Sequence, residues 1–282
     1  MIGESGGSYG VTKTGAGDLS LGVTNTFTGT TSIDNGSIIV NNALALQSST
    51  VSINVNDGLD VTTNLINATI GALTGSGDLT LGSQNLRTGG NGDSTIYSGV
   101  ITGDNNSILR HNGAGTLTLT GGDGVTPSDL GVIRSISGVV VFDGAHVDLT
   151  SNSLQPGGQA LLATAGDVTL QNGTVVQITG ISSGSVRDGT LLVTGNTTSL
   201  TGGRFTVAPG STHTGSAVLE QGASVDLAEE LEVGSDGNGS VTVQSGAMVN
   251  ANTVILASDP NSFGESLVTG QSLLSAVNSL LK

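Results

Sequence analysis

One short unit occurs three times before residue 122, and it restricts this chain to repeat architecture. The copies are Thr14-Gly15-Ala16-Gly17-Asp18-Leu19-Ser20-Leu21, Thr74-Gly75-Ser76-Gly77-Asp78-Leu79-Thr80-Leu81 and Asn112-Gly113-Ala114-Gly115-Thr116-Leu117-Thr118-Leu119. Each opens on a glycine-bracketed segment, read as a tight turn because glycine reaches positive φ without a steric penalty. Each closes on a strict alternation of leucine with a polar residue. That pattern puts the leucines on one face of a half-buried strand. A unit that buries only one face needs a neighbouring copy to cover it, so its recurrence predicts a stack.

A second unit takes over in the latter half: a turn residue, Gly, a small residue, any residue, then Val, polar, aliphatic. It occurs as Asp143-Gly144-Ala145-His146-Val147-Asp148-Leu149 and Asn172-Gly173-Thr174-Val175-Val176-Gln177-Ile178. It recurs as Gln221-Gly222-Ala223-Ser224-Val225-Asp226-Leu227 and Ser245-Gly246-Ala247-Met248-Val249-Asn250-Ala251. The last two glycines are 24 residues apart (246 minus 222), about one coil of a solenoid. Between the two regimes, residues 122–131 are irregular, contain Pro127, and are expected to protrude as a loop. Short strands are expected elsewhere, including Thr50 to Val55, Leu59 to Thr62 and Leu65 to Leu73. Asn35-Gly36 reads as a turn between apolar runs.

Composition decides among the β architectures. Of 282 residues, 46 are Gly, only 2 are Tyr and 4 Phe, and there is no Trp. A sandwich or barrel calls for longer strands and a few dominant aromatics, and a propeller for blades of about 40 residues or more. A parallel β-helix needs coils of roughly 20–25 residues and a thin aliphatic core. The expected fold is therefore all-β, a single parallel β-helix of roughly 11–13 coils. Residues 1–121 carry the glycine units, 122–131 the loop and 132–282 the second type. Leu19, Leu21, Leu79, Leu81, Leu117, Leu119, Val147, Val176, Val225 and Val249 are expected to point inward. The end, 272–282, supports two readings. The repeat register makes it one more strand. The leucine spacing from Leu273 to Leu281 and local propensity make it a capping helix. The strand is the reading adopted.

The charge is −15, from 22 Asp/Glu against 7 Lys/Arg, and the acids are scattered along the chain. Nucleic acid and anionic membrane are argued against as partners, since both call for a basic patch. No apolar run is long enough for a membrane helix, so direct membrane insertion is not expected. The N-terminal stretch has neither the basic nor the apolar region of a signal peptide. Absent cysteine excludes disulfides and thiolate chemistry.

Thr14 to Leu21 followed by Asn25-Thr26-Phe27-Thr28-Gly29-Thr30-Thr31 resembles the passenger-associated transport repeat of bacterial autotransporters, the type V secretion family. Ser98-Gly99-Val100-Ile101-Thr102-Gly103 running into 112–121 resembles the lead-in of the same repeat. Residues 233–257 resemble a second passenger repeat with a Gly-Ala-x-Val core. The resemblance implies a right-handed parallel β-helix displayed on, or released from, the surface of a Gram-negative bacterium. It implies a non-enzymatic stalk or adhesin that holds a host cell-surface or matrix protein or glycan through protruding loops. It also implies a C-terminal translocator barrel in the parent chain, for whose aromatic girdles 2 Tyr and 4 Phe are too few.

Sites that would carry chemistry are sparse. Gly3-Glu4-Ser5-Gly6-Gly7 resembles the nucleophile motif of chymotrypsin-like proteases, but no upstream segment supplies a His and an Asp. His111, His146 and His213 show no metal-ligand spacing. Gly89-Gly90-Asn91-Gly92-Asp93 and Ser235-Asp236-Gly237-Asn238-Gly239 echo calcium turns without the tandem copies a calcium repeat needs, leaving at most weak binding. No catalytic, cofactor or metal residue is therefore assigned. The competing reading is a β-helix enzyme acting on acidic polysaccharides. It would require clustered carboxylates with an adjacent arginine in a groove.

Overall fold

The computed structural model describes all residues except 64–66, 152–157, 181–182, 258–261 and 282. Its strands are parallel and stack as a β-solenoid of about ten complete turns with partial turns at both ends. No α-helix occurs among the described residues. The first ladder can be followed through one column, half-buried at Lys13, buried from Ile33 to Val243 apart from half-buried Gly75, and exposed at the last rung, Val268: Lys13, Ile33, Ile53, Gly75, Tyr97, Leu119, Phe142, Leu170, Val193, Leu219, Val243 and Val268. Each pairs in register with the next. The parallel β-solenoid is as expected, with about ten turns against the 11–13 coils read from coil length. The column explains the scarcity of aromatics: one residue per rung fills a narrow core, so aliphatics suffice. The large ring of Tyr97 pairs with Gly75, which offers no side chain to its layer.

All ten residues expected to point inward do so. Nine are buried, and Leu19, in the first coil, is half-buried against the core. A second ladder carries Leu79, Ile101, Leu130, Val147, Val176, Leu200, Val225 and Val249. A third carries Leu86, Leu109, Ile133, Leu161, Phe205, Leu231 and Val254. Along most strands alternate residues are more exposed, as a pleated sheet with one buried face dictates, while Ser183–Val186 and most of Gln159–Ala163 are buried throughout.

The glycines work in two ways, and only one matches the turn reading. In three of the four copies of the second unit the turn is left-handed at both residues: Asn172 and Gly173 have φ of 54° and 82°, Gln221 and Gly222 of 55° and 79°, Ser245 and Gly246 of 54° and 81°; in the first copy only Gly144 is, at 67°. In the first unit only Gly75 lies in that region. Residues 112–115 are not a tight turn; they belong to one long strand, Ile108–Leu119, with its register shifting across them. Glycine is required there for close approach between coils. A Cβ on Gly113 would stand 1.6 Å from the carbonyl oxygen of Gly89.

Other local expectations shift by a few residues. The strands run Leu46–Ile53 and Leu59–Asp60. Ile70–Gly75 replaces the later part of the segment expected from Leu65, whose residues 65 and 66 lie outside the described residues. The protruding loop is shorter than 122–131. Val125 is its exposed tip, and the Asp123 carboxylate accepts hydrogen bonds from the backbone N–H of Val125 and Thr126. Ser128–Leu130 is a ladder strand paired with His146–Leu149, because Leu130 alternates into the core. The C-terminal stretch Leu273–Leu281 is a strand in register with Met248–Leu256, and residue 282 lies outside the described residues. The ladder edge of the preceding coil offers a full set of backbone partners, and tertiary pairing overrides the helical propensity of the leucines.

Candidate functional site

The third ladder gathers what the sequence scatters. In Asn85–Thr88, Arg87 stands outward between inward Leu86 and Thr88; in Ile108–Leu119, Arg110 stands between Leu109 and His111. In Val132–Asp143, Arg134 stands between Ile133 and Ser135. Arg110 pairs in register with Arg87 on one side and with Arg134 on the other. The three arginines therefore sit on consecutive rungs, about 4.8 Å apart along the axis. Arg187 follows Ser183–Val186 of the same ladder, and Arg204 pairs with Ser183. All five arginines of the chain occupy this one flank. Lys13 is on the first ladder, and Lys282 lies outside the described residues.

Such stacking works against stability. Like charges directly opposite across a ladder are unfavourable, by about 1 kcal/mol for neighbours near 5 Å even at the dielectric constant of water. Burial, and then the neighbouring Arg87, lowers the pKa of Arg110. Burial, then Arg110 and Arg187, does the same to Arg134. Their local partners are neutral. Arg134 Nε donates to Thr164 Oγ1 at 2.9 Å and Arg187 Nη2 to Gln159 Oε1 at 3.1 Å, while the buried Nε atoms of Arg110 and Arg187 have no partner. Among the described residues, none of Arg87, Arg110, Arg134 and Arg187 makes an ion pair, although acids outnumber bases 22 to 7.

Where the arginines end, carboxylates begin. Arg204 pairs in register with Glu230 and makes a salt bridge with it. Glu229 and Glu232 flank Glu230 and, with Gln159, Ser183 and Thr206, line a groove of about 390 Å³. The Glu230 carboxyl is held above its ordinary pKa, chiefly by burial and further by Glu232 and Glu229, with Arg204 opposing.

The residues singled out from sequence stay apart. His111 is buried, donates from Nε2 to the Gly115 carbonyl at 2.8 Å, and has its pKa lowered by burial. His146 Nε2 lies 3.3 Å from Gln177 Nε2, and His213 Nδ1 lies 2.8 Å from Asp188 Oδ2. Ser5 is exposed, while the neighbouring Glu4 accepts from the backbone N–H of Tyr9 and Thr28 and from the Thr28 hydroxyl. In the Gly89 turn, the Asp93 carboxylate is bonded by Thr50 and Asn91. No group of three or more His, Cys, Asp or Glu able to hold a metal occurs among the described residues.

A basic patch, absent from the sequence as a run, forms when the coils stack, so its lack no longer weighs against a polyanionic partner. One signal was available. Leu86-Arg87, Leu109-Arg110 and Ile133-Arg134 repeat an aliphatic-Arg pair at 23 and 24 residues (110 minus 87, 134 minus 110), the coil length itself. Comparison with protein-family models, with curated proteins and with solved structures finds no match.

Proposed function

We propose that this chain is a non-enzymatic interaction module, a β-helical stalk or adhesive surface of the autotransporter passenger kind, displayed on or released from a bacterial cell surface. The arginine flank carries this reading. Among the described residues Arg87, Arg110, Arg134 and Arg187 make no ion pair, and the in-register stacking of the first three works against stability. A surface kept at a cost to stability is the mark of a binding surface, as strained or repulsive arrangements are at functional sites generally. The solenoid supplies length and a straight, regular face. Protruding loops such as 122–131 are the binding elements the sequence suggests; the charge arrangement favours the flank instead. A host-surface or matrix glycan or protein is the partner class, and the reading requires no cofactor.

A second reading has one specific observation in its favour. Glu229, Glu230 and Glu232 beside Arg204 are the carboxylate cluster with adjacent arginine that an enzyme acting on acidic polysaccharides would need. The two readings separate cleanly. Incubated with polygalacturonate, the protein is expected to release no new reducing ends and no unsaturated product. Turnover that disappears in Glu230→Gln would replace the module reading with the enzymatic one.

A further inference from the structure

We propose that the row Arg87, Arg110 and Arg134, continued by the offset Arg187, forms a strip that binds an acidic polysaccharide, extended along the solenoid axis, with carboxylate or sulfate groups on its sugars. The inference supplies a partner for the interaction-module reading and rests on it only to that extent.

The chemistry follows from placement. Arg87, Arg110 and Arg134 stand in register on three successive rungs of the third ladder; the next rung carries Leu162 at that position, and Arg187 lies one rung further on, two residues along its strand from Ser185, the residue aligned with Arg134 through Leu162. That makes four intervals of about 4.8 Å, or about 19 Å of strip. An extended pyranose chain advances by a similar step per ring, so acid groups on three successive sugars meet Arg87, Arg110 and Arg134, and one two sugars further on reaches the rung of Arg187. The guanidinium is a planar fork that grips carboxylate or sulfate through two parallel hydrogen bonds, and it sheds water more readily than an ammonium. Neutral hydrogen-bonding groups, Thr164 and Gln159, lie among the arginines and suit sugar hydroxyls. The strip is bounded. The next arginine, Arg204, is neutralised by Glu230, and Glu229 and Glu232 follow, so a polyanion is repelled beyond Arg187. A site of about four to five sugars results.

Other polyanions fit less well. Single-stranded nucleic acid gains its affinity by stacking bases on aromatic rings, and the exposed aromatics, Tyr9 and Phe263, are off this flank. An anionic bilayer calls for apolar side chains beside the cations. Leu162, the residue paired with Arg134, is instead buried, and the net charge of −15 opposes approach to a charged plane.

The test is calorimetric titration of the intact chain with oligogalacturonates of increasing length, heparin-derived oligosaccharides, neutral dextran and single-stranded DNA, at low and at moderate salt. Binding of one or both acidic series is expected, and which one binds identifies carboxylate or sulfate as the ligand group. Affinity should rise with length to about four or five sugars and then level off, and should fall as salt rises. The double variant Arg110→Gln/Arg134→Gln should weaken binding at least about tenfold. Lys13→Gln, which removes a cation from another ladder, should leave it within about twofold. The unfolding midpoint of the double variant should hold or rise, because it relieves repulsion; if it falls, exposed Arg87→Gln alone carries the comparison. Failure of both acidic series to bind at low salt, tighter binding of DNA, or equal losses in Lys13→Gln would overturn the proposal. Binding without turnover supports strip and module together. Binding with turnover keeps the strip and removes the module, and absence of binding removes the strip and leaves the stalk.

Discussion

Gly113→Ala is expected to destabilise the protein by about 3 kcal/mol or more, beyond the usual range for adding one methyl group to a packed interior. The added Cβ would lie 1.6 Å from the carbonyl oxygen of Gly89, 2.4 Å from its carbonyl carbon and 3.0 Å from its Cα. All three are backbone atoms, so no rotamer change relieves the clash. The coils must part, and parting them breaks ladder hydrogen bonds on both sides of the site. The next coil repeats the approach, since a Cβ on Gly138 would stand 2.1 Å from the Gly113 carbonyl oxygen. Gly15 holds the same place in the first copy of the unit, and a Cβ there meets nothing within 4 Å. Gly15→Ala should therefore cost less than about 1 kcal/mol. Chemical denaturation of the two variants checks this; equal midpoints would mean that coil spacing, as described, is wrong at this corner.

Leu117→Ala should cost about 2–5 kcal/mol, and Thr118→Ala much less. Leu117 is 1% exposed, flanked in register by Thr95 and Val140 on the neighbouring rungs, whereas Thr118 faces outward and is half-buried. Removing the leucine leaves a cavity with coils on both sides, and a rung fixed by its own ladder bonds collapses poorly into it. A similar loss in both variants, followed by urea unfolding, would contradict the inward and outward assignment.

How much of this was legible follows from the range of each signal. The leucine alternations at Leu19, Leu79 and Leu117 are local, and they gave the inward faces and the parallel stack. Coil length could be read from Gly222 and Gly246 because it is a spacing in sequence. The role of Gly113 was misread, since close approach to Gly89 depends on the neighbouring coil and the residue's own φ was not the constraint. At Leu273–Leu281 local and long-range signals oppose each other: the leucine spacing favours a helix, the repeat register favours a strand, and pairing with Met248–Leu256 makes it a strand. The arginine flank lay furthest from view. Arg87, Arg110 and Arg134 are dilute in sequence and become a row only when coils of 23 and 24 residues bring them into register. The groove at Glu230 is legible in part, because Glu229-Glu230 and Glu232 adjoin in sequence, while Arg204 reaches them only through the ladder.

The stacked solenoid itself is tested by distances between spin labels. The chain has no cysteine of its own, so single cysteines at Thr12, Ile96 and Leu267 can be labelled in pairs. All three are exposed positions on the first ladder. From Thr12 the register passes through Ser32, Ser52 and Thr74 to Ile96, four rungs away. It then passes through Thr118, Val141, Thr169, Leu192, Val218 and Thr242 to Leu267, seven rungs further. At about 4.8 Å per rung the expected separations are about 19, 34 and 53 Å, the longest close to the sum of the other two. A distance from Thr12 to Leu267 that falls well short of that sum would show that the coils do not stack along one axis.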